Sequence, residues 1–297
     1  MKNTKPIPYV ALGIGILSLS FSAMFVRWAN SPGPMTGFYR LFLSTLILTP
    51  FFIQRQRHES PIHYKVLFFP VLAGMFTAGD FSLWNSSLAF TTAANATLLG
   101  NTAPLWVALG AWLIFREKLN RFFLIGLTLV LTGAVLIMGS DFLLHPRLGI
   151  GDLMASCAAI FYASYMLSTQ KGRQHIDPFR YTWLVGISAS ITMFIINLLL
   201  HNAFLGYDPQ TWAVFLGTAI ISQTIGYFSI SYALGHLPAH VVSPTMVGQP
   251  IMTTLLAIPL LGEIPNLIQI TGGFIALAGI FIVNQSHTLT NPKIPNA

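Results

Sequence analysis

Ten apolar stretches follow one another along this chain, at 8–28, 35–53, 66–89, 93–115, 122–139, 150–169, 181–200, 211–234, 239–261 and 267–284. A helix rises about 1.5 Å per residue, so about 20 such residues cross the hydrocarbon layer of a bilayer. Little of the 297-residue chain remains for a water-facing surface: 8% of its residues are charged, against about 25% in an ordinary soluble domain. In lipid every backbone amide must be bonded within the protein, and a helix does this inside one segment. The expected fold class is therefore all-α and integral to the membrane, with ten transmembrane helices. The start, Met1 to Lys5, has the basic end of a secretory signal, but the apolar run behind it is too long for one and reads as an uncleaved first helix.

The charges that are present give an orientation. Translocating Lys and Arg is unfavourable, so cytoplasmic loops collect them. With the N-terminus inside, one side of the membrane holds Lys2, Lys5, Arg55, Arg57, Lys65, Arg116, Lys118, Arg121, Lys171, Arg173, Arg180 and Lys293, twelve in all; the other holds Arg27 and Arg147. Both termini are then cytoplasmic, and the net charge of +7 is accounted for without nucleic acid. Cys157, the single cysteine, lies inside an apolar run, which excludes an internal disulfide and a thiolate metal cluster.

Sliding the chain over itself by 146 residues aligns the fourth and fifth spans with the ninth and tenth. Pro104 meets Pro250, Glu117 meets Glu263, Asn120 meets Asn266, and Gly126 and Gly133 meet Gly272 and Gly279. Leucine matches are cheap in an apolar chain, whereas Pro, Glu and Asn rarely coincide by accident, so the pattern reads as a duplication. The expected units are residues 1–146 and 147–297, of five spans each. An odd number of spans makes the second unit enter the membrane from the opposite side, and inverted repeats of this kind suit alternating access around a midplane site.

The segment from Ser87 to Pro104 (SLAFTTAANATLLGNTAP), then Phe115-Arg-Glu-Lys-Leu119 leading into Gly126 and Gly133, resembles the EamA family of the drug/metabolite transporter superfamily. The second copy is Ala233-Leu-Gly-His-Leu-Pro-Ala239, Gln249-Pro250 and Leu261-Gly-Glu263, leading into Gly272 and Gly279. The resemblance covers residues 8 to 285. It implies ten helices, a central cavity between two halves, a plasma membrane location (the inner membrane in a bacterium), and transport of amino acids, nucleobases or similar metabolites, often outward.

Several residues stand out against the apolar background. Asp80 interrupts the third span, where a carboxylate costs about 2.5 to 3.5 kcal/mol on insertion scales and normally faces an interior or a wet cavity. A proton-coupling or amine-binding role and a structural ion pair with Arg40, in the second span, are both open. The polar and aromatic residues that suit a substrate cavity are Trp84, Asn85, Asn101, Tyr162, Tyr165, Gln223, Tyr227 and Gln249. Pro104 and Pro250 occupy equivalent helix interiors, where each predicts a kink. Glu117 and Glu263 lie at helix junctions, just ahead of candidate caps at Asn120 and Asn266. The paired glycines predict close helix packing, within the chain or between two copies in a homodimer.

The chain carries no His-Glu-x-x-His, no Gly-x-Ser-x-Gly and no phosphate-binding Gly-rich Lys motif. It is read as a transporter of a small molecule, not an enzyme, with no cofactor and no metal. Transport is expected to be facilitated or coupled to an ion gradient such as protons. A non-transporting membrane subunit and a membrane-embedded enzyme are the alternatives.

Overall fold

The computed structural model describes residues 6–22, 25, 28–58, 61–87, 90–91, 93–117, 119–138, 149–261 and 266–290. Among them all regular structure is helical. In chain order the helices are α1 (Ile7–Ser20), α2 (Gly33–His58), α3 (Phe68–Ser87, entered through a 3₁₀ turn at Tyr64–Leu67), α4 (Ala93–Gly100), α5 (Ala103–Phe115), α6 (Arg121–Met138), α7 (Ile150–Gly172) and α8 (Pro178–Leu199). There follow α9 (Pro209–Gly217), a π-helical segment (Thr218–Tyr227) continuing into α10 (Phe228–Leu234), α11 (Ala239–Thr245), α12 (Gly248–Leu261) and α13 (Leu267–Thr290). Seven helical segments among the described residues are long and apolar enough to cross a bilayer, and α1 and Arg121–Ile137 are shorter apolar helices. Arg27, Glu263 and Arg147 lie outside the described residues.

The helices at 93–115 and 239–261 are broken rather than kinked. In an unbroken helix the amide of residue 104 would bond the carbonyl of residue 100, and that of 250 the carbonyl of 246; proline has no amide to give. The chain instead makes a tight turn at Asn101–Thr102 in the first case and Met246–Val247 in the second, and each proline falls in the first turn of the helix that follows. There its missing N–H costs nothing. Side chains add to the bonding at the first break: Asn101 Nδ2 donates to Thr97 O at 2.8 Å and Thr102 Oγ1 to Leu99 O at 2.6 Å, carbonyls that also accept the Asn101 and Thr102 amides.

Asn120 starts α6 as a cap, its Oδ1 accepting from the Phe123 amide at 2.7 Å. Asn266 does the same for α13, accepting from the Gln269 amide at 2.9 Å while the Gln269 side chain bonds back to the Asn266 amide at 3.0 Å. The two helices so started pack on each other through their glycines. A methyl group built on Gly126 would stand 2.9 Å from Gly279 O, and one on Gly133 2.5 Å from the Ala276 amide nitrogen. Higher numbers on α6 meet lower numbers on α13, so the helices run antiparallel. The paired glycines therefore pack within the chain.

Elsewhere α1 packs on the π segment, α10 and α12, while α7 packs on α3, α4 and α5; α2 lies against α8. The main core gathers side chains from α1, α2, α3, α7, α8 and the π segment, with Tyr181, Phe215, Met35, Met166 and Met193 almost wholly enclosed. Many large apolar side chains face outward, including Trp112, Leu113, Ile114, Phe274 and Phe281. An outer surface of that kind is stable against lipid tails and not against water. Cys157 is a free, half-buried thiol in α7.

Candidate functional site

Arg40 on α2 is 9% exposed and turns inward. A buried guanidinium is tolerated only with its donors satisfied, and Arg40 Nε donates to Gln223 Oε1 at 2.9 Å while Nη1 donates to Ser22 Oγ at 3.0 Å. Two rings cover it, Phe81 with its centroid at 4.7 Å and Tyr227 at 5.3 Å. Such contacts hold a cation without neutralising it. Four parts of the chain thus converge on one side chain: the end of α1, α2, α3 and the π segment.

Asp80 stands beside Phe81 on α3, half-buried. It feels the charge of Arg40 through space, yet the two are not among the ion pairs closed within 4.0 Å among the described residues. Arg40 donates to Gln223 and Ser22 instead. Behind it Gly79 lets α3 approach α7, since a methyl group there would be 2.6 Å from the Phe161 ring.

The tyrosines extend this neighbourhood. Tyr227 lies with its ring centroid 5.6 Å from that of Tyr165, and Tyr165 stacks on Tyr162 at 6.0 Å, nearly parallel. Tyr162 faces the electrostatic influence of both Asp80 and Arg40. Arg40, Asp80, Tyr162, Tyr165, Gln223 and Tyr227 therefore share one locus: a cation, a carboxylate, an amide and a wall of rings.

The π segment is what presents Gln223. Its hydrogen bonds span five residues, which widens the turn and is frequent at functional sites. Thr224 Oγ1 bonds back to Ala219 O at 2.8 Å and shares a 2.9 Å hydrogen bond with Ser44 Oγ on α2. On the other flank Gly226 and Gly15 let α1 lie close, with Ser222 Oγ donating to Ser18 O at 3.4 Å.

The remaining cavity candidates make other contacts. Asn85 packs under Gly33, where a methyl group would be 2.5 Å from Asn85 Cβ, and Trp84 lies against Gly100. Asn101 and Gln249 sit beside the two helix breaks; Gln249 Nε2 reaches Leu19 O at 3.4 Å and its backbone carbonyl accepts from Ser20 Oγ at 3.1 Å. Ser22, Ser44, Thr224 and Phe81 were not singled out from the sequence. Hydroxyls and rings are too common in membrane helices to be read individually.

A second polar cluster closes one end of the bundle. Glu117, just beyond α5, accepts from Gln170 Nε2 at 3.1 Å and contacts His240 Nδ1 at 2.5 Å. The Gln170 carbonyl oxygen in turn accepts from the Ala239 amide at 2.6 Å. Glu117 thus ties the end of α5 to the end of α7 and the start of α11. Among the described residues no three His, Cys, Asp or Glu side chains gather as metal ligands.

A lipid-facing helical body encloses broken and π-wound helices and a charged, aromatic-lined locus, an arrangement that fits a membrane transporter of small molecules. The model of the EamA-like transporter family matches the chain twice, at residues 7–139 and 149–285, and the chain belongs to that family. It is 26% identical over 257 residues to an uncharacterized transporter of Archaeoglobus fulgidus, covering 84% of this chain and 87% of that one. With the uncharacterized transporter YxxF of Bacillus subtilis it shares 26% over 283 residues, 94% of this chain and 89% of that protein. A probable purine permease 5 of Arabidopsis thaliana is 24% identical over 67% of this chain and 59% of its own length. One crystal structure superposes with a TM-score of 0.77 over 96% of this chain and 99% of that one, at 16% identity, a likeness of fold.

Proposed function

We propose that this protein carries a small, charged or zwitterionic metabolite across the membrane by alternating access, with Arg40 and Asp80 at the heart of its binding site. The observation that carries the proposal is that an enclosed cation and a neighbouring carboxylate are held without pairing to each other, beside three tyrosine rings. Arg40 then suits a substrate carboxylate or other anionic group. Asp80 suits an ammonium group or a transported proton, and the rings suit a planar or apolar body. Amino acids and nucleobase-like compounds have this chemistry.

Two inverted five-helix units, 1–146 and 147–297, are the proposed machinery. The two-fold family match, the paired glycines and the antiparallel α6–α13 contact support this. Counting α4–α5 and α11–α12 as one broken span each, and α9 to α10 as another, gives ten crossings. The packing has the same sense: α1 on the π segment and α10 corresponds to α7 on α3, and α2 on α8 and α6 on α13 map onto themselves. The proposed setting is a plasma membrane with both termini cytoplasmic.

The test is flux in proteoliposomes loaded with radiolabelled amino acids and purine bases, with and without a pH gradient. Wild-type protein should exchange at least one of these classes. The Arg40→Gln variant should retain folding and lose uptake. Binding without flux in the wild type would leave a non-transporting membrane subunit, and full flux in Arg40→Gln would remove Arg40 from the site.

A further inference from the structure

A cavity of about 460 Å³ opens at the end of the bundle where α7 stops and α8 begins, and the carrier site does not use it. Arg173, His175, Asp177, Arg180, Tyr232 and His236 contribute to its lining. Arg173 is 8% exposed. Its Nε donates to Ser231 O at 3.0 Å and its Nη1 to Ile176 O. Nη2 has no hydrogen-bond partner among the described residues and lies over Gly235, where a methyl group would stand 2.7 Å from it. Glycine at 235 therefore leaves room for the guanidinium at the cavity.

The charges around it do not balance. Asp177 is the one carboxylate in the lining, and Arg180 pairs with it. Asp177 also accepts from the Phe179 and Arg180 amides as the cap of α8. Within the lining, two guanidinium groups stand against one carboxylate, with two exposed histidines beside them. His236 Nδ1 donates to Tyr232 O at 2.9 Å, which fixes the ring at the rim. A largely buried guanidinium with a spare donor, at an open cavity lined by two guanidinium groups and one carboxylate, has the chemistry of a phosphate or phosphodiester site.

We propose that this cavity binds a phosphate-bearing anion at the membrane surface, with Arg173 Nη2 as its principal donor and His175 and His236 at the rim. The same chemistry is offered by the headgroup of an anionic phospholipid and by a phosphorylated solute. The end of a transmembrane helix places the cavity where either could reach it.

The test uses the full-length protein in neutral detergent, titrated with inorganic phosphate, and in nanodiscs of phosphatidylcholine with or without phosphatidylglycerol. Thermal unfolding and native mass spectrometry read the binding. Stabilisation by phosphatidylglycerol alone assigns the site to lipid, and stabilisation by phosphate alone assigns it to a soluble solute; both support the site. The double variant His175→Glu and His236→Glu changes exposed rim residues and should fold, while weakening binding at least tenfold. Arg173→Lys should weaken it as well. Absence of binding to either probe in the wild type, or binding in the rim variant equal to wild type, would overturn the proposal.

Discussion

Gly133 and Gly272 stand backbone to backbone: a methyl group built on Gly133 would lie 2.6 Å from Gly272 O, and one on Gly272 would lie 2.9 Å from Gly133 O. The relation is reciprocal, and Gly126 with Gly279 repeats it one pair of helical turns away. Backbone atoms cannot swing aside as a side chain can. Gly133→Leu should therefore force α6 and α13 apart and destabilise the protein by about 1–3 kcal/mol, the usual cost of overpacking. Thermal unfolding in detergent measures it, and an unchanged midpoint would contradict the close contact.

The proposed opposite sense of the two units is open to a direct chemical test. Cysteines introduced singly at Asn120 and Asn266, the caps of α6 and α13, should react with a membrane-impermeant reagent from opposite faces of the membrane. Cys157 must first be replaced by alanine. Labelling of both from one face would reject the inverted arrangement.

Asp80 separates two modes of coupling. If it carries the proton, Asp80→Asn should abolish the response of transport to a pH gradient while leaving counterflow exchange in place. If it binds a substrate ammonium, the same variant should raise KM for cationic or zwitterionic substrates and spare purely anionic ones. A variant with wild-type pH response and wild-type KM would remove Asp80 from both roles.

Glu117 links three helix ends through Gln170 and His240. Replacing Gln170 by Leu removes one bridge and leaves the Ala239 amide without its side-chain acceptor. A destabilisation on the order of 1 kcal/mol is expected, the usual net worth of one hydrogen bond. Hydrogen exchange at Ala239 should quicken, and exchange as slow as in the wild type would show that the bridge is dispensable.

Asp208 caps α9 at the other end of the bundle, accepting from the Thr211 amide at 2.7 Å. That bond holds its carboxyl below the ordinary carboxylate value. A lowered carboxylate adds stability above its unfolded value and loses it as pH falls through the lowered one. Relative to the intrinsic exchange rate at each pH, the amides of the first turn of α9 should therefore lose protection in acid, and those of Asp208→Ala should be poorly protected at every pH. An acid response preserved in Asp208→Ala would assign it to another group.

The broken helices show where sequence and structure part. Pro104 and Pro250 were legible as disturbances at matched positions, but proline alone is compatible with a bent helix as well as an interrupted one. The interruption shows in the turn at Asn101–Thr102, whose amides and side chains together bond the Thr97 and Leu99 carbonyls. Asp80 and Arg40 were equally visible as costly charges in apolar runs. That Arg40 bonds Gln223 and Ser22 rather than Asp80 is visible only in the tertiary structure.

What the amino-acid order determined by itself is the solvent and the class: long apolar runs with few charges are stable as helices only in lipid, and the matched Pro, Glu, Asn and Gly positions fall in the two segments that the family model matches. Tertiary structure alone decided which polar groups meet. Arg40 and Gln223 are 183 residues apart along the chain and 2.9 Å apart in space. Hydrophobic patterning specifies which environment a helix enters, whereas contacts of that range are set by how helices pack, through close-fitting glycines and side-chain hydrogen bonds that no local stretch encodes.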